Sequence, residues 1–229
     1  MTDTPLEPRE RSSIIRDSLG VGLATGAYGV GFGAVSVASG LSVAQTCALS
    51  FFVFTGASQF ALVGVIAAGG APVSGALTAM LLGTRNTLYG LRLAPLLAWT
   101  GWRRALGAHV LIDESTAMSV TRETTAAARL GFLTTGVSIF ILWNLATFAG
   151  AVAGNAIGDP RTYGLDAAVG AAFLALLWPR LHRRSNQVVA VAAAAVALGV
   201  VPIVPAGVPV LAAAGVALLA GVLMREPAR

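Results

Sequence analysis

Long apolar runs, punctuated by arginine clusters and by short knots of glycine and polar residues, organise this chain. Residues 19–40, 42–68, 71–100, 130–157, 163–178, 186–204 and 207–224 are apolar stretches. Most reach the roughly 17–25 residues that a helix needs to cross hydrocarbon. Residues 103–129 are mixed. The pattern predicts an all-α, polytopic transmembrane helix bundle of about seven spans, with broken helices. Residues 1–18 are expected to be a cytoplasmic tail ending in a short surface helix, residues 19–224 one membrane domain, and residues 225–229 a second cytoplasmic tail.

Glycine spacing refines this. Gly22, Gly26, Gly29, Gly33, Ser36 and Gly40 step by three and four, so they line one helical face. Such a stripe either lets helices approach closely or lines a solute path. Gly150, Gly154 and Gly158 repeat the pattern. Two apolar runs carry polar interruptions: 42–68 at Thr55–Gln59, and 71–100 at Gly83–Asn86 and again at Gly90–Arg92. A weak echo, Gly33-Ala34-Val35 against Gly150-Ala151-Val152, is compatible with an inverted repeat.

Composition agrees with a membrane protein. Hydrophobic residues make up 56% of the 229 and charged ones 11%, with net charge +5. Soluble domains carry about 25% charged residues. There is no lysine, and the arginines cluster at the ends of apolar runs. That placement follows the cytoplasmic-loop bias and not a nucleic-acid groove, which would interleave aromatic residues. Arg9, Arg11, Arg16, Arg122, Arg129, Arg180 to Arg184, Arg225 and Arg229 are expected on the cytoplasmic side. Two topologies keep that parity. In one, 71–100 is a re-entrant hairpin broken at Arg85-Asn86. In the other, 71–100 crosses and 105–121 crosses back, which strands Arg103 and Arg104 on the wrong side.

Candidate chemistry sits at the interruptions. An arginine at the bilayer centre costs about 2.5–3.5 kcal/mol on the insertion scale, so Arg85 needs a carboxylate, carbonyls or a bound anion. Asp113, Glu114 and Asp166 are the available acids. Thr55, Gly56, Ser58 and Gln59 mark a helix break whose freed backbone groups can meet a solute; interhelical hydrogen bonding is the alternative. His109 and Asp113 stand four apart, the spacing of one helix face. The single Cys47 excludes an internal disulfide, and no metal, nucleotide or hydrolase pattern is present. No enzyme activity and no cofactor are expected.

These motifs carry a family resemblance. Phe54-Thr55-Gly56-Ala57-Ser58-Gln59-Phe60, Arg85-Asn86-Thr87-Leu88-Tyr89, Leu111-Ile112-Asp113-Glu114-Ser115 and Tyr163-Gly164-Leu165-Asp166 occur in the order and spacing of the AzlC family. That family is the large subunit of branched-chain amino-acid exporters. The resemblance implies a bacterial inner-membrane exporter of branched-chain or other small apolar amino acids. It also implies proton coupling and a small hydrophobic AzlD-type partner. Thr55, Gly56, Ser58, Gln59, Arg85, Asn86 and Tyr89 would bind substrate, and Asp113, Glu114 and Asp166 would carry the coupling proton. The chain departs from the family at Gly83, where asparagine is common, and at Asn86, where histidine is frequent. A passive channel and a non-transporting membrane scaffold remain the alternative readings.

Overall fold

The computed structural model describes residues 6–157, 174, 177–205 and 207–223, and every regular element among them is helical. In order these are α1 (Pro8–Ala27), α2 (Gly29–Ala38), α3 (Val43–Phe52), α4 (Ala57–Ala67), α5 (Pro72–Leu97), α6 (Gly101–His109), α7 (Asp113–Val120) and α8 (Thr125–Ile157). A 3-10 turn (Trp178–Arg180), α9 (Arg184–Val200) and α10 (Val208–Leu223) follow. Asp166, Tyr163, Gly158 and the C-terminal Arg225 and Arg229 lie outside the described residues.

Two rods frame the molecule. Pro8–Ala38, which is α1 and α2 end to end, and Thr125–Ala156 within α8 are both long and apolar enough to cross a membrane. The first begins at Pro8 and runs unbroken through residue 18, with Ile14 and Ser18 fully buried, so the N-terminal segment is part of the rod. The glycine stripe is the seam between the rods. Gly22 packs on Ser138, Gly26 on Leu142 and Gly33 on Thr147, while Gly154 packs on Ala34. A Cβ at Gly29 would lie 2.5 Å from the Trp143 carbonyl oxygen. Gly22, Gly26, Gly29 and Gly33 therefore serve close packing, which in lipid replaces the hydrophobic drive that water would supply. Gly40 is instead a turn residue with φ +94.

Residue numbers rise together along this seam, so the rods run parallel. Gly33 and Gly150 occupy those two rods. The echo between their segments therefore does not relate them by inversion.

In sequence, two pairs of half-length helices come between the rods. Ten or eleven residues span about 15–17 Å, half of a hydrocarbon core of about 30 Å. Along α3 the chain descends beside α8, with Ser50 Oγ donating to Thr147 Oγ1 (3.4 Å) and Phe54 then stacking edge-on against Phe140 (5.1 Å). It turns back at Val53–Gly56. Along α4 it climbs antiparallel to α5, Ser58 beside Gly83 and Leu62 and Val65 beside Gly75. Residues 42–68 are thus a re-entrant hairpin and not a full crossing.

The second pair enters from the opposite end. Arg129 Nε donates to the Leu97 carbonyl (2.8 Å), which sets the end of α5 beside the start of α8. From there α6 rises past Phe132, at Gly107, to His109, which meets Phe140 edge-on (5.3 Å). After a turn at Val110–Ile112, α7 descends: Val110 abuts Gly136, Met118 abuts Gly131, and Ser119 Oγ donates to the Ala128 carbonyl (3.0 Å).

Three expectations change here. First, α5 is continuous for 26 residues, about 39 Å, through both Gly83–Asn86 and Gly90–Arg92. A helical glycine costs about 1 kcal/mol against alanine, which weakens a helix without breaking it. Second, the re-entrant hairpin lies at 101–120 and not at 71–100. This places Arg103 and Arg104 at the same end as Arg122, Arg129 and the N-terminal arginines, and removes the parity conflict. Third, His109 closes α6 and Asp113 opens α7, so the two do not share a helix face.

Large apolar side chains, among them Leu23, Met80, Leu88, Leu145 and Leu198, stand mostly exposed around the outside. Apolar patches of that extent require hydrocarbon as their solvent. Inside, Phe32, Phe60 and Trp143 form an aromatic cluster with centroids 5.3 to 6.3 Å apart. It packs the middle of α2 and α8 onto the start of α4.

Candidate functional site

Both hairpin tips reach the middle of α8, near Gly136 to Phe140, and a single turn of α5 bridges them. At the first tip, Gly56 takes φ +65 and ψ −99, a conformation closed to side-chain-bearing residues without strain. Gln59, fully buried, stitches the rupture together. Its Oε1 accepts from Gly56 N (3.1 Å) and its Nε2 donates to the Leu49 carbonyl (3.2 Å). One side chain thereby satisfies a backbone group on each half-helix. Thr55 Oγ1 donates locally to the Val53 carbonyl (3.3 Å), leaving the Thr55 carbonyl directed at α5.

At the second tip, Ser115 Oγ accepts from Ile112 N (3.0 Å) and donates to the Val110 carbonyl (2.8 Å). This fixes the entry into α7. Asp113 and Glu114 fill its first turn, where the positive end of the helix favours carboxylates.

Arg85 joins the two tips. Its Nη1 lies 3.0 Å from Asp113 Oδ2 and its Nη2 donates to the Thr55 carbonyl (3.2 Å). Asn86 Nδ2 donates to the Leu111 carbonyl (3.3 Å). Tyr89, one turn further along α5, is half-buried and engaged with a neighbour. The arginine expected to need compensation thus has a carboxylate and a carbonyl, supplied from opposite hairpins.

This satisfaction is incomplete. Ser58 Oγ, Arg85 Nε, Asn86 Oδ1 and Asp113 Oδ1 are all buried and have no hydrogen-bond partner. An unpaired buried polar group costs about 1–3 kcal/mol, so four of them around one helical turn describe a centre prepared for a polar ligand. The set holds one cationic donor, one hydroxyl and two acceptors, one of them anionic. All seven expected binding positions lie on α5 or at the first tip and its flank, and Asp113 and Glu114 lie beside them at the second. Asp166 is outside the described residues.

Sequence reasoning did not reach the carbonyls of Leu49 and Leu111, because a backbone acceptor leaves no mark on residue identity. Nor did it find the capping role of Ser115, although the adjacent acids Asp113 and Glu114 are the residues a first helical turn favours.

Comparison with known proteins fits this arrangement. The AzlC protein family model matches residues 20–157, which runs from the first rod through both hairpins to the end of α8. An uncharacterised membrane protein of Helicobacter pylori is 24% identical over 163 residues, covering 69% of this chain and 70% of that protein. No solved structure matches the chain. Since the matched region contains every described site residue and more than half of the sequence, the chain belongs to the AzlC protein family.

Proposed function

We propose that this protein is a membrane transporter that exports branched-chain or other small apolar amino acids. The observation that carries the reading is the meeting of two opposed half-helix hairpins at mid-depth, around an ion pair with unpartnered polar atoms. Discontinuous helices ending at the midplane are how many carriers present helix ends and freed backbone groups to a solute. A zwitterion matches the polarity of the set. Its ammonium fits between Asp113 Oδ1 and Asn86 Oδ1, and its apolar side chain fits the Phe- and Val-lined surroundings. Asp113 and Glu114, both reachable from the hairpin that enters at the arginine-bearing end, are the proposed carriers of a coupling proton, with Asp166 a third acid for that role.

In this proposal the arginine-bearing end is cytoplasmic in a bacterial inner membrane, by the loop-charge bias. Both chain termini then face the cytoplasm. The protein acts as the large subunit beside a small hydrophobic AzlD-type partner, and it performs transport and no enzymatic step.

The test is efflux from vesicles preloaded with labelled leucine, valine or isoleucine, with and without the co-expressed small subunit. Saturable efflux that accelerates under an imposed proton gradient is the expected result. Efflux no faster than from vesicles lacking the protein, in both preparations, overturns the proposal.

A further inference from the structure

Ser58 and Gly83 face each other across the α4–α5 seam. Ser58 is only 2% exposed, yet its hydroxyl has no partner. A Cβ built on Gly83 would stop 3.8 Å from Ser58 Oγ and meet no other atom within 4 Å. The seam is therefore open at this point, with a buried hydroxyl on one wall and bare backbone on the other. Ser58 also lies in the first turn of α4, an eleven-residue helix whose N-cap, Gly56, has no side chain; the Gly56 carbonyl takes the Gln59 N–H (3.0 Å), which leaves those of Ala57 and Ser58 as the first-turn donors. Such an end carries partial positive charge and unsatisfied donors. Arg85, by contrast, is already engaged by Asp113 and by the Thr55 carbonyl. Two sources of positive potential remain at the centre, Arg85 Nε and the helix end, and the helix end is the one that carries Ser58.

We infer that Ser58, the first-turn N–H groups of α4 and the uncovered backbone of Gly83 form the subsite for the carboxylate of the transported amino acid. This rests on the transport reading above and divides its labour: carboxylate at the α4 end, ammonium at Asp113 and Asn86, and Arg85 as the clamp between hairpins. The Ser58 hydroxyl donates to a carboxylate oxygen, and Gly83 sets the clearance for it.

The inference gives Gly83→Ala two effects of opposite sign. Alanine is the better helix former and its methyl fits in ordinary contact, so the fold holds or gains. The same methyl covers Ser58 Oγ. The experiment measures binding of labelled leucine to the full-length protein in lipid nanodiscs, for wild type, Gly83→Ala and Ser58→Ala. Isoamylamine, which has the amine and side chain of leucine without the carboxylate, is titrated in parallel, and each melting temperature is recorded.

The expected result is a loss of about tenfold in leucine affinity in both variants, as for one charge-assisted hydrogen bond. Isoamylamine affinity should be unchanged, and the Gly83→Ala melting temperature equal or higher. Leucine affinity within about twofold of wild type in both variants overturns the subsite, as does an equal loss for isoamylamine. Wild type that binds no branched-chain amino acid overturns the transport reading, and the subsite with it.

Discussion

Arg85 and Asp113 approach to 3.0 Å from different helices, one on a continuous rod and the other at the tip of a hairpin. Both are about one-third exposed, and each keeps one atom, Nε or Oδ1, without a partner. Among the described residues, the pair is the one salt bridge that joins these two elements. Removing one member leaves the other uncompensated, which costs about 3–5 kcal/mol for a fully buried pair. Partial exposure brings the expectation here to about 2 kcal/mol. Asp113→Ala should lower the melting temperature of the detergent-solubilised protein, and adding Arg85→Leu should restore much of the loss. Additive single and double mutants would refute the joint.

The glycine seam gives a contrast within one helix. A Cβ at Gly33 collides with the backbone at Thr147, whereas Gly31, two residues earlier, has nothing within 4 Å. Gly33→Ala should destabilise by about 2 kcal/mol or more, since backbone cannot yield as a side chain can. Gly31→Ala should be neutral or stabilising by up to about 1 kcal/mol. Melting curves of the two variants decide it, and equal shifts would count against close packing of the rods.

Gln59 satisfies Gly56 N and the Leu49 carbonyl together. Gln59→Leu keeps similar bulk and strips both bonds; the Leu49 carbonyl still accepts from Val53 N (3.0 Å), so Gly56 N is the backbone group left unpaired. The expected cost is about 1–3 kcal/mol, as for one unsatisfied backbone group. Loss of efflux with no change in melting temperature would show that the residue touches substrate and does not hold the break.

The hairpin at 101–120 is testable by labelling from either side of the membrane. In a variant with Cys47→Ala, single cysteines at Ser12, Arg103 and Arg122 should all react from the same side. Cysteines at Leu41 and Pro205 should react from the other. Opposite reactivity at 103 and 122 would restore a full crossing by residues 105–121.

Much of this was legible in the sequence. The Gly56 break, the close-packing glycines and the need of Arg85 for a carboxylate all follow from residue types whose physical demands are severe in lipid. The course of the chain between them was less so. Glycine and polar residues mark both a true rupture at Val53–Gly56 and the unbroken turn at Gly83–Asn86. What separates the two is the neighbour: Gln59 caps a real break, while the polar groups of α5 point at breaks in other helices. Likewise, half-length helices have the same local composition as a full span. Only contacts such as Arg129 with Leu97, far apart in sequence, reveal where the chain turns back.

Each hairpin is rooted at one end only, and its tip is held to α5 by its own bonds: the first through the Thr55 carbonyl, the second through Asp113 and the Leu111 carbonyl. Either tip can therefore let go of α5 while the other keeps its own bonds, and the glycine-packed rods need not part.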